Sequence, residues 1–138
     1  MRSLPMIALL LLAACGSPKP PLVASEVEIT PPMPGRMMSA GYLVLTNNTD
    51  EAIVIDGVTS PQFGVVEIHQ TILENGISRM RQIEELVVPA RGSVALERGG
   101  KHLMLMQAQG VNETVTLLLL SDGAPILAIE HPYAGKTQ

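Results

Sequence analysis

The chain of 138 residues has no tryptophan, one phenylalanine, two tyrosines and one cysteine. A single cysteine rules out a disulfide framework, a four-thiolate zinc site and an iron–sulfur cluster within one chain. Basic residues are few as well: nine Lys plus Arg stand against thirteen Asp plus Glu, for a net charge of −4. With no basic patch and no aromatic stacking platform, nucleic acid is excluded as a partner. Long apolar runs are also missing, since the one from Met6 to Ala14 is too short to span a bilayer. Hydrophobic residues nevertheless make up 46% of the chain, and eight of them are methionine. The length suits one domain that buries roughly two thirds of its unfolded surface.

Residues Met1 to Cys15 read MRSLPMIALLLLAAC, a positive charge followed by an apolar run and then small residues. This is the form of a secretory signal, and it is set aside from fold reasoning. Its end, Leu12-Ala13-Ala14-Cys15-Gly16, resembles the bacterial lipobox. Residues 1–14 are accordingly expected to be a lipoprotein signal peptide, with Cys15 as the lipidated first residue of the mature chain. The acyl chains would hold the protein to a membrane surface without spanning it. Residues 15–22, with Ser17-Pro18-Lys19-Pro20-Pro21, read as a stiff tether. Gly16 and Ser17 lack the acidic signal of inner-membrane retention, which points to an outer-membrane anchor facing the periplasm.

From Leu22 onward short apolar segments alternate with turn residues, and no helix period runs for any length. The segments are Val23–Thr30, Met38–Thr46, Glu51–Thr59, Phe63–Leu73, Ile77–Val88, Ser93–Glu97, His102–Met106, Glu113–Leu120 and Pro125–Glu130. Short strands punctuated in this way predict an all-β antiparallel sandwich or Greek-key barrel, as one domain over residues 23–131 with a short tail at 132–138.

Asn75-Gly76 is a strong hairpin signal, because a type I′ turn needs positive φ at both central residues. With those two residues as the loop, Glu74 faces Ile77, Thr71 faces Met80 and His69 faces Gln82. His69 and Met80 then become diagonal neighbours on one face. Met80 is flanked there by Ser78 and Gln82, a polar setting in which a methionine is not core. Further along, Lys101-His102-Leu103-Met104-Leu105-Met106 alternates with period two, so His102, Met104 and Met106 share a face opposite the two leucines.

Two imidazoles and two thioethers suit soft Cu(I), and hard cations do not favour them. Thioethers need no deprotonation and cannot be lost to disulfides in an oxidising compartment. Zinc would want a carboxylate or thiolate, for which only Glu67 beside His69 is placed. A blue-copper centre needs a cysteine ligand, and Cys15 is consumed by the anchor.

The order His69, ten residues, Met80, twenty-one residues, His102, one residue, Met104 resembles the ligand pattern of the periplasmic copper chaperones of the PCu(A)C family. Ala40-Gly41-Tyr42-Leu43-Val44-Leu45-Thr46-Asn47, Glu67-Ile68-His69, Glu74-Asn75-Gly76, Met80-Arg81 and His102-Leu103-Met104-Leu105-Met106 look like blocks of that family. The resemblance implies a cupredoxin-like fold and Cu(I) held by His69, Met80, His102 and Met104. It also implies a chaperone, not an enzyme, that supplies a haem–copper oxidase subunit or a thiol-disulfide copper assembly factor. Gln70 stands where many members have methionine, and the tail lacks the His- and Met-rich extension some members use for Cu(II).

Of the remaining candidates, Met106 reads as packing, Met33, Met37 and Met38 as loop or core methionines, His131 as a solvated tail residue and Glu67 as a surface carboxylate or an orienting partner of His69. A monomer is expected. The rival readings are a structural β-sandwich lipoprotein without metal and a copper-sequestering protein for tolerance.

Overall fold

A computed structural model describes residues 16–110 and 113–133. Cys15, the signal segment 1–14 and residues 134–138 lie outside the described residues. The strands are β1 (Leu22–Thr30), β2 (Met38–Asn47), β3 (Ile53–Ile55), β4 (Gly57–Thr59), β5 (Phe63–Glu74), β6 (Ile77–Gln82), β7 (Leu86–Val88), β8 (Ser93–Leu96), β9 (Lys101–Ala108), β10 (Thr114–Ser121) and β11 (Ala124–Pro132). Every pairing between them is antiparallel, and no helix occurs among the described residues. The all-β antiparallel expectation is met.

A six-stranded sheet runs β1-β2-β9-β5-β6, with β8 also paired to β2; a three-stranded sheet runs β11-β10-β4, and β3 pairs with β7. β2 is central because its halves take different partners: Met38–Gly41 lie against β9 and Leu43–Thr46 against β8, while β1 covers the other edge. This agrees with its apolar residues on both faces. Gly41 faces Leu103 across the β2–β9 pair, and a Cβ at Gly41 would come within 3.2 Å of the Leu103 Cβ. Glycine therefore lets these two strands close together.

Leu43, Leu45, Ile68, Leu103 and Leu105 of the large sheet meet Val58, Val115, Leu117 and Leu119 of the small one and Ile55 and Val88 of the β3–β7 pair. A fully buried Leu or Val contributes on the order of 1.5–3 kcal/mol, so these aliphatic side chains supply the core that the missing aromatics do not. β9 shows the division of faces: Leu103 and Leu105 are buried inward, and the side chains between them point the other way.

Two segments read as single strands are each two. Glu51–Thr59 breaks at Asp56, because β3 pairs with β7 and β4 with β10. Asp56 makes the crossing: its N–H donates to the Leu120 carbonyl (3.0 Å) and its carboxylate accepts from the Gly123 N–H (3.2 Å). Ile77–Val88 breaks after Gln82, where the chain leaves the large sheet to form β7 against β3. At the ends, Leu22 is buried within β1, and Tyr133 is buried with its hydroxyl 2.8 Å from Ser39 Oγ and its ring edge-on to Phe63. His131 lies within β11, opposite Val115, and not beyond the last strand.

Candidate metal centre

The β5–β6 hairpin closes through Asn75 and Gly76, whose φ values of 51° and 78° are both positive, as the I′ turn requires. Glu74 pairs with Ile77, Thr71 with Met80 and His69 with Gln82, the register read from the turn. Met80 thus stands diagonal to His69 on an entirely exposed strand.

The long-range pairing of β5 with β9 adds what the hairpin alone does not. His69 lies directly opposite His102, and Glu67 directly opposite Met104. The two imidazole centroids are 6.0 Å apart, with planes inclined at 55°. Met80 and Met104 flank this pair from opposite ends, one beside Thr71 and the other beside Glu67. His102 is buried and His69 half-buried, so the centre sits in the outer face of the sheet and is not raised on a loop.

Each ring is held by one nitrogen. His69 Nε2–H donates to Glu67 Oε2 at 2.8 Å, and His102 Nδ1–H donates to the Gly100 carbonyl at 3.1 Å. The acceptors fix the protons, because a carbonyl and a carboxylate only accept. The other two nitrogens, His69 Nδ1 and His102 Nε2, therefore carry lone pairs. Both are buried without a hydrogen-bond partner. Leaving a buried polar atom unsatisfied costs on the order of 1–3 kcal/mol, and two such atoms on facing rings call for a ligand that accepts lone pairs. A carboxylate or carbonyl behind the ligating imidazole is the usual arrangement at metal sites. Among the described residues no three His, Cys, Asp or Glu side chains converge. A metal bound by the two rings would need further donors from other side chains, and thioethers suit soft ions.

Gly99 and Gly100 position His102. Gly99 adopts a φ of +78°, the Gly100 N–H donates to the Glu97 carbonyl (3.0 Å), and the Gly100 carbonyl also accepts from the Thr71 N–H (3.0 Å). The turn thereby ties the β8–β9 connection to β5. Glu67 is the residue whose role the alternation left between surface and site, and its bond to His69 decides it as the orienting partner. Met106 is half-buried on the same face as Met104 and pairs with Met38 of β2, while Met33 and Met37 are exposed in the β1–β2 connection. A separate cavity of about 430 Å³ lies by Glu26, Glu28, Tyr42 and Arg98. It shares no residue with the histidine pair, and Arg98 spans it by stacking 4.6 Å from the Tyr42 ring centroid and binding Glu28 at 2.6 Å.

Comparison with known proteins gives consistent likenesses. The family described as "Putative lipoprotein LpqE-like" matches residues 22–123. Protein Lxx21020 of Leifsonia xyli subsp. xyli is 29% identical over 112 residues, covering 75% of this chain and 67% of that one. Protein RP573 of Rickettsia prowazekii is 29% identical over 68 residues, 49% of this chain; the match spans only 38% of that relative's length. Among solved structures, the copper-bound PCuAC domain from PmoF2 superposes with a TM-score of 0.63 at 17% identity, covering 86% of this chain and 94% of that one. The Cu(I) form of DR1885 from Deinococcus radiodurans does so with 0.60 at 27% identity, covering 91% and 83%. The chain belongs to the LpqE-like family, and its fold is the cupredoxin-like β fold of PCuAC domains.

Proposed function

We propose that this protein is a Cu(I) carrier that works outside the cytoplasm, anchored to a membrane by lipid on Cys15. Residues 1–14 serve as the signal peptide, 15–22 as the lipidated tether and 23–131 as the copper-binding domain. Cu(I) is its cargo, held by His69 Nδ1, His102 Nε2 and the thioethers of Met80 and Met104. The observation that carries this reading is the facing pair of buried, unpartnered ring nitrogens, each backed by a hydrogen bond to its opposite nitrogen. Copper-bound PmoF2 and Cu(I)-bound DR1885, which share the fold, support the choice of metal.

Transfer proceeds by ligand exchange. An acceptor's thiolate or thioether replaces the exposed Met80 first, because that side chain stands 61% accessible on an edge strand. The acceptor is a copper-accepting oxidase subunit or a thiol-disulfide copper assembly factor. The anchor keeps donor and acceptor at one membrane face, and the outer membrane is the site of anchoring.

An anaerobic Cu(I) titration in competition with a chromophoric chelator tests the assignment. The native chain is expected to take one equivalent, and Met80→Ala and His102→Ala to bind more weakly. A native stoichiometry near zero removes the reading, and unchanged affinity in both variants moves the site elsewhere.

A further inference from the structure

Met38, Met104 and Met106 occupy three corners of one quadrilateral on the outer face of the large sheet. Met106 is the direct register partner of Met38, and Met104 that of Ala40. Directly opposed positions on one face lie about 4.5–5.5 Å apart at Cβ, and successive positions on one face of a strand are about 6.8 Å apart. The fourth corner is alanine, so the space between the three thioethers is not taken by a large side chain. Val65, opposite Met106 on β5, offers no competing donor. Packing alone does not account for the trio, because Met38 is 38% exposed and Met104 and Met106 are only half-buried, on the face away from Leu103 and Leu105.

We infer that Met38, Met104 and Met106 form a second, weaker site for a soft monovalent ion, contiguous with the histidine centre through Met104. The inference rests on the carrier reading for its biological cargo, Cu(I), and goes beyond it in adding a station. Three thioethers satisfy Cu(I) or Ag(I) without any proton leaving. Met104 belongs to both donor sets, so an ion held by Met38, Met104 and Met106 reaches the histidine centre by giving up the Met38 and Met106 thioethers and taking on the two imidazoles and the Met80 thioether while Met104 stays bound. No electron is transferred and no covalent bond of the protein breaks. The two sites are alternatives for one ion, and the all-thioether one is the more exposed.

The test uses Ag(I), which is soft and redox-stable, on the full chain carrying His69→Ala and His102→Ala with ¹³C-labelled methionine methyl groups. The Met38, Met104 and Met106 methyl resonances are expected to shift together, with an affinity below that of the native chain. Adding Met38→Leu and Met106→Leu, which conserve volume, is expected to abolish the shift at Met104. In the otherwise native chain the same two leucines should leave Cu(I) stoichiometry unchanged and slow Cu(I) loading. Unmoved Met38 and Met106 methyls, or an unchanged loading rate, overturn the inference. Failure of the carrier reading is seen separately, as a native chain that takes up no Cu(I).

Discussion

His69 and His102 face each other across the β5–β9 pair with ring centroids 6.0 Å apart, and each keeps one buried nitrogen without a partner. Their other nitrogens are anchored differently, one to a carboxylate and one to a backbone carbonyl. That difference makes the two histidines separately testable.

Glu67 orients His69 through the Nε2–Oε2 hydrogen bond without touching the proposed metal. Glu67→Gln keeps an oxygen near Nε2 but removes the charge, and is expected to weaken Cu(I) binding by about tenfold, within the range of partners behind a ligand. Competition titration measures this, and thermal melting should show the apo fold intact. An affinity equal to native would deny Glu67 the role.

His102 presents the opposite balance. His102→Leu removes the buried unsatisfied Nε2, and the Gly100 carbonyl keeps its bond from the Thr71 N–H. The apo protein is expected to hold its stability within about 1 kcal/mol of native, because no buried group is newly orphaned. The increase in melting temperature on adding Cu(I) should vanish. A loss of several kcal/mol in urea unfolding without metal would show that His102 is chiefly structural.

Protons compete with metal for imidazole nitrogens. Cu(I) affinity is therefore expected to be weaker in acidic than in neutral solution. Competition titrations at pH 7 and pH 5 check this. Equal affinities would count against both histidines as ligands.

Gly76 supplies the second positive φ of the hairpin turn, and no atom lies within 4 Å of where its Cβ would be. Gly76→Ala therefore carries a backbone cost alone, about 1–2 kcal/mol for a left-handed residue, read as a lower urea midpoint. An unchanged midpoint would mean that the turn relaxes to another type.

Asp50 accepts a hydrogen bond from Arg91 at 2.7 Å; this bond, and then the guanidinium charge, hold its carboxyl below the usual carboxylate range. A lowered folded value stabilises above the unfolded pKa of about 3.9 and is lost as the pH falls through the folded value. Both groups are fully solvated, so the effect is small. Arg91→Ala should lower the melting temperature slightly at pH 7, and the difference should close toward pH 2. A difference that persists there would assign the effect to the Arg91 backbone instead.

The hairpin half of the site was legible in the sequence because Asn75-Gly76 fixes register locally, and the alternation of β9 assigned His102 and Met104 to one face. That His69 meets His102 was legible only through the resemblance to the PCu(A)C ligand pattern, since β5 and β9 are brought together by long-range pairing that no local signal specifies. The same limit explains Asp56 and the segment after Gln82: a break between strands in different sheets leaves no mark when both sides are apolar. Tyr133 escaped for a different reason, as its partners Ser39 and Phe63 lie far away in the chain.

The Gly100 carbonyl accepts from both the Thr71 N–H and the His102 ring, so this imidazole is pinned to the same oxygen that joins the β8–β9 turn to β5. It cannot swing outward without giving up that bond and uncovering a buried ring. One wall of the cup is as stiff as the sheet, while Met80 on the other wall rides an edge strand bonded on a single side. On the carrier reading, an ion lodged between them would have a prescribed order of departure: the Met80 thioether would let go first, and the His102 nitrogen would be the last tether to break.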